Sequence, residues 1–184
     1  IDHVNLFLTW GEVEGIVCSG IDKGKKTTYA LLDERVPPTR ELCREEALAR
    51  LASRYFQSHS PAQLQDFVWW SGLTATECRL AINLIKTELI TETFDSREYF
   101  IHQSWKGKNE SKPVLRLLPA FDEYLISYKN RADVLPLEHH PKAFNRFGTF
   151  YPVILYNGKI IGNWSRSIKK NTIQIEMDLS LIHI

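Results

Sequence analysis

The chain has 184 residues, 43% hydrophobic and 24% charged, with a formal net charge of +1; this is ordinary globular composition and excludes collagenous, low-complexity and disordered classes. No run approaches the roughly 18–20 uninterrupted apolar residues of a spanning helix, and the opening IDHVNLFLTW lacks the basic start of a secretory signal, so a soluble, cytoplasmic protein without a membrane partner is expected. Residues 1–100 hold 11 Lys/Arg against 15 Asp/Glu and residues 101–184 hold 12 against 7, which puts any attraction to phosphate in the second half or in local clusters.

The first segment, residues 1–40, reads as strand-like. Val13–Gly20 and Thr27–Leu32 flank a Gly/Asp/Lys turn that contains Lys23, Lys25 and Lys26, a hairpin pattern. Pro37-Pro38 ends it. A lone hairpin is not stable by itself, so this one is expected to pack on a region upstream. The only methionine being Met177 carries the same expectation.

A helix is predicted from Thr39 to Phe56, where Leu42, Ala47, Leu48, Leu51, Ala52, Tyr55 and Phe56 recur at helical spacing. Ser60 as N-cap and Pro61 at the first helical position predict the next helix, Pro61 to Trp70, and Ser71-Gly72 its turn. Thr74-Ala75-Thr76-Glu77 is a capping box, the hydroxyl serving a free amide while the glutamate reaches back. The helix it opens runs toward Leu89. Strands Leu89–Phe94 and Glu98–Ile101 follow about an Asp95-Ser96-Arg97 turn. Helix, helix, tight turn, helix, hairpin is the winged-helix order.

After a polar linker (107–113) come a strand from Val114 to Leu118, a short helix from Phe121 to Tyr128 and a looser run through Pro141. The last third alternates like a β meander. Asn157-Gly158 lies between Val153–Tyr156 and Lys159–Ser167, a pair suited to a hairpin turn with positive φ at both central positions. A basic turn at Lys169-Lys170-Asn171 leads to Thr172–Leu179. The expected fold class is α+β, divided as 1–40, the closing hairpin of an upstream domain; 41–106, a winged-helix domain; and 113–184, a β-rich domain.

Four stretches resemble the winged-helix DNA-binding proteins that include bacterial DNA glycosylases of the AlkZ and YcaQ type: GKKTTYALLDERVP (24–37), SPAQLQDFVWWSGL (60–73), RLLPAFDEYLISY (116–128) and NGKIIGNW (157–164). They occur in the family's order and span most of the chain. The resemblance implies winged helix-turn-helix domains followed by a small β-barrel-like domain. It also implies a catalytic Gln-x-Gln or Gln-x-Asp pair in an N-terminal winged helix upstream of residue 1. Gln63-Leu64-Gln65 has the letters of that pair but falls in the second winged helix, so no catalytic residue is assigned here. The implied partner is double-stranded DNA, and the implied role is the duplex-gripping part of a base-excision, alkylation or crosslink repair protein. The alternative is a non-catalytic winged-helix module that binds DNA or another protein, as a regulator.

Candidate contacts follow from charge. Lys23, Lys25 and Lys26 crowd one hairpin tip, and Arg166, Lys169 and Lys170 another; such tips either reach phosphates, displacing counterions, or are solvated turns. Arg79, Asn83 and Lys86 form a polar stripe on the third helix, offered to a major groove or to water. Adjacent helical positions face different directions, so of Trp69 and Trp70 one ring is expected in the core and the other at a domain contact, with base stacking as the alternative. Asp66 reads as a packing or capping partner, and Asp122 as the cap of the short helix with Glu123 on the surface. His139-His140 near Glu138, and Cys18, Cys43 and Cys78, lack metal-ligand spacing. No metal and no cofactor are expected.

Overall fold

The computed structural model describes residues 3–38, 40–107, 112–170 and 172–179. The chain is mixed α/β and divides into two compact units, Ile1–Leu42 and Cys43–Ile184.

In the first unit, helix α1 (His3–Val13) leads into strands β1 (Val17–Ser19) and β2 (Tyr29–Leu31) and a short helix α2 (Leu32–Arg35). The hairpin is shorter than the sequence predicts, because Val13 closes a helix rather than opening a strand. Gly15 stands at φ 69°; its amide donates to the Glu12 carbonyl and that of Ile16 to the Gly11 carbonyl. This paired closure of a helix end needs a left-handed residue, the role glycine fills. β1 and β2 then pair antiparallel, Cys18 opposite Ala30.

The second unit opens with α3 (Arg44–His59), α4 (Leu64–Ser71) and α5 (Ala75–Leu84). Two predicted starts shift. Of the residues before Arg44, Thr39 lies outside those described, and 40–43 are not helical; Cys43 is extended, and Glu45 and Glu46 fall in the first turn, where the helix dipole favours them. The next helix begins at Leu64, not Pro61. Ala62 is held extended by a two-way backbone bridge to Phe100 (3.1 and 2.8 Å), so it cannot enter a helix. Ser60, predicted as the cap, instead joins the α3 end to the hairpin, donating to the Phe56 carbonyl (2.5 Å) and accepting from the His102 amide (2.8 Å).

The Thr74–Glu77 capping box forms as the sequence predicts: Thr74 Oγ1 accepts from the Glu77 amide and the Glu77 carboxylate accepts from the Thr74 amide. α5 stops at Leu84 and gives way to a tight turn at Lys86–Glu88. Strands β3 (Leu89–Phe94) and β4 (Arg97–His102) pair about Asp95 and Ser96, both at positive φ. The rings of Tyr55, Phe56 and Phe67 pack edge-on or tilted, 5.0–5.5 Å between centroids, and with Leu48, Ala52, Cys78, Ala81 and Ile85 they form the first core.

β5 (Leu115–Leu118), α6 (Glu123–Ile126), α7 (His140–Ala143), β6 (Val153–Tyr156), β7 (Lys159–Lys169) and β8 (Thr172–Asp178) complete the chain. The strands make one antiparallel sheet in the order β5-β6-β7-β8. The expected barrel-like closure is not found among the described residues: β5 and β8 do not pair with each other, so the sheet is open. Asn157 (φ 46°) and Gly158 (φ 81°) make the predicted turn, and the Asn157 side chain accepts from the Val114 amide (2.8 Å). A second core of Leu125, Leu135, Ala143, Val153 and Ile160 lies under this sheet.

Between the two cores, residues 126–131 are hydrogen-bonded onto α3 and α4. Tyr128 Oη donates to the His59 carbonyl (3.0 Å), the Trp69 indole donates to the Ile126 carbonyl (2.8 Å), and the Lys129 amide donates to Asp66 (2.8 Å). No helix among the described residues is long and apolar enough to cross a membrane.

Candidate nucleic-acid interface

Three groups of cations stand out on the surface, and each is presented by a different local device. In the first unit, Lys23 and Lys26 face each other across a tight turn, bonded amide to carbonyl in both directions (3.0 and 3.2 Å). Gly24 supplies the left-handed conformation the turn requires (φ 66°). Lys23, Lys25 and Lys26 are all exposed.

The second group lies on α5 and just beyond it. Arg79 and Asn83 are exposed on the helix, whereas Lys86, predicted to share their stripe, sits past the helix end in the Lys86–Glu88 turn. All three line one shallow cleft with Leu64, Ile82, Phe100 and Glu98. A carboxylate therefore faces the cations there. At the start of the same helix, Glu77 is held below the usual carboxylate range by its hydrogen bonds to Thr74 and Arg44, and it forms an ion pair with Arg44. It belongs to the cap rather than to the basic face.

The third group is on the β7–β8 ribbon. Arg166 pairs across to Ile175 and Lys169 to Thr172, with Lys170 in the turn at φ 51°. Beyond Trp164 every described residue of both strands is exposed, Ile168 and Ile173 at 64% and 63%. Alternation sorts the ribbon: Ser165, Ser167, Lys169, Thr172, Gln174 and Glu176 on one face, Arg166, Ile168, Ile173 and Ile175 on the other.

The tryptophan pair splits. Trp70 is half-buried against the first core, 5.0 Å from the Tyr55 ring; Trp69 remains 47% exposed. The Lys129 ammonium lies 4.5 Å and the Arg131 guanidinium 5.5 Å from the Trp69 ring centre. Both distances are within cation–π range. Neither cation carried a signal in the sequence: they sit in an irregular run with no periodicity, and only the preceding FDEYLISY stretch marked the neighbourhood. Arg131 is nearly buried, donates to the Leu125 and Ile126 carbonyls, and also lies 5.3 Å from the Phe144 and Phe150 rings.

Asp66 is buried and fully engaged. One carboxylate oxygen accepts from the Gln63 amide (2.9 Å) at the start of α4, the other from the Lys129 amide (2.8 Å). Asp122 caps α6 by accepting from the Tyr124 amide (2.9 Å). Gln65 is exposed and donates to the Gln63 side chain (2.8 Å), a local pair at the helix start. The His140 ring lies 4.9 Å from that of Phe144, tilted by 49°. Cys18, Cys43 and Cys78 are free thiols, half-buried, exposed and buried respectively, and burial raises the Cys78 thiol.

These features define a mixed α/β chain of helical core, short hairpins and an open sheet that offers cations from turns. Residues 7–182 match the AlkZ-like family, described as DNA glycosylase AlkZ-like, and the chain belongs to that family. It is 25% identical over 170 residues to an interstrand DNA cross-link repair glycosylase of Streptomyces sahachiroi, covering 84% of this chain and 46% of the relative. The fold is similar to that of the solved Streptomyces sahachiroi DNA glycosylase AlkZ, with a TM-score of 0.72 and 21% identity, over 95% of this chain and 50% of that one. The chain thus spans about half the length of the curated relative it matches.

Proposed function

We propose that these residues are the duplex-gripping part of a DNA repair glycosylase, in which the base-excision chemistry is carried by residues outside this stretch. Residues 41–106 are read as a winged helix, residues 1–40 as the end of another, with its closing hairpin at 17–31 after α1, and residues 113–184 as a β-rich domain. The observation that carries the reading is the β7–β8 ribbon: Arg166, Lys169 and Lys170 stand on a two-stranded ladder whose described residues beyond Trp164 are all exposed. Positive turns of this kind reach backbone phosphates and release condensed counterions.

Lys23, Lys25 and Lys26 form a second, smaller contact of the same type. Arg79 and Lys86 contribute at the edge, opposed by Glu98. Asp66 and Trp69 act structurally, by holding residues 126–129 against α4, Trp70 by packing on the Tyr55 ring and Asp122 by capping α6. Family membership supports DNA as the partner, and the 46% share of the relative's length supports a division of labour within a longer protein.

Binding of the 184-residue chain to a labelled DNA duplex, followed by anisotropy across a salt series, tests this. The affinity is expected to fall steeply, with a log–log slope of about −0.9 per phosphate contacted. Salt-insensitive binding contradicts phosphate contact. Release of alkylated bases by this chain alone would move the chemistry into it.

A further inference from the structure

We infer that the cleft between α4, β4 and the segment after α6 is a binding site for a planar, uncharged heterocycle of the nucleobase class. The cleft has a volume of ≈ 340 Å³ and draws its lining from three separated stretches, 60–66, Tyr99 and 124–134. Small-molecule sites occupy about 300–1,000 Å³, so one base fits with room for its sugar.

The aromatic lining is Tyr99, Tyr124 and Tyr128. Two of these rings are fixed by their own hydroxyls: Tyr124 donates to the Gly158 carbonyl (2.9 Å) and Tyr128 to the His59 carbonyl (3.0 Å). Fixed rings offer flat apolar surface for stacking at little entropic cost.

The charges in the lining are largely engaged by the protein itself. Both Asp66 oxygens accept backbone amides, Arg131 serves main-chain carbonyls, and Asp133 pairs with Arg97 (3.3 Å). With two carboxylates against one guanidinium in the lining, a phosphate is disfavoured.

What remains for a ligand is neutral. Asn130 uses its side-chain carbonyl on the Ala132 amide (3.0 Å), and Gln63 uses its own on Gln65 (2.8 Å). Both NH₂ groups are without a hydrogen-bond partner among the described residues. Two amide donors beside fixed aromatic rings match the nitrogen and carbonyl acceptors on a base edge, the pattern by which unstacked bases are read.

Such a base comes from solution, as a nucleoside, or from a strand, as an unpaired nucleotide. The 184-residue chain would be titrated by calorimetry with adenosine and guanosine. In parallel, anisotropy and 2-aminopurine emission would be followed on a duplex carrying one unpaired 2-aminopurine and on its fully paired counterpart. Asn130→Asp keeps the acceptor for the Ala132 amide but removes the donors, and Tyr99→Leu removes one wall; melting curves check that each variant folds.

Nucleoside binding, or preference for the unpaired over the paired duplex with a change in emission, is expected, and each variant should weaken it roughly tenfold. Nucleosides alone would identify the solution source, the unpaired duplex alone the strand source. Paired-duplex affinity depends on the basic ribbon and not on this cleft, and the nucleoside arm needs no DNA binding at all, so the two readings fail separately. No nucleoside binding at millimolar concentration together with equal affinity for both duplexes, or folded variants that alter neither, would overturn the site.

Discussion

The helical core around Phe56 and the β7–β8 ribbon are built on opposite terms. Phe56 and Phe67 are fully buried and Tyr55 is 1% exposed, whereas every described residue of the ribbon beyond Trp164 is exposed. Close packing makes the first region sensitive to single methylene groups. The second is held by its ladder, and Arg166, Lys169 and Lys170 stand exposed on it. The difference teaches that the stabilising residues and those proposed for DNA contact are separate, so each set can be changed without the other.

The largest effect should come from the core. Phe56→Ala should cost about 3–5 kcal/mol, read from denaturant unfolding; a cost below about 1 kcal/mol would mean that this core is not the stabilising centre. Thr74→Ala removes the α5 cap, and the expected loss is about 0.5–2 kcal/mol, seen as a lower melting temperature. Both should leave the duplex affinity of the folded protein unchanged.

Alkali should also separate the regions. Burial raises the Tyr55 phenol and pushes Tyr128 up to about 12 from the ordinary 10. Folding therefore favours the neutral phenols, and this contribution is fully present below pH 10 and lost as pH climbs from about 10 toward 12. Urea midpoints measured from pH 8 to 12 should stay level and then fall. A midpoint unchanged at pH 12 would show that these tyrosines are not buried as described.

Parts of this arrangement are legible in the sequence because they depend on neighbours. The Thr74–Glu77 box and the Asn157-Gly158 turn each close within four residues, so local chemistry suffices to read them. The lysine clusters are legible for the same reason, since tight turns concentrate polar residues. Helix α1 is not: its apolar residues fall on every side, which hides the 3.6-residue period, and Gly15 reads as part of a strand until its helix-closing bonds are seen. The start of α4 is likewise set at a distance, by the bridge from Ala62 to Phe100. The attachment of residues 126–131 to α3 and α4 uses main-chain carbonyls and amides, groups every residue has, and leaves no pattern to read. The nucleobase cleft combines Gln63, Tyr99 and Asn130 from three stretches; of these the sequence singles out only Gln63, and for a different role.

The separation of stability from the proposed DNA contact is tested most directly by Lys169→Glu combined with Lys170→Glu. Melting temperature and the salt dependence of duplex binding would be measured on the same preparation. Both lysines are exposed, so stability should change by no more than about 0.5 kcal/mol, while affinity drops and the log–log salt slope becomes shallower by about 2. An unchanged slope and affinity, with the fold intact, would contradict the assignment of phosphate contact to this ribbon.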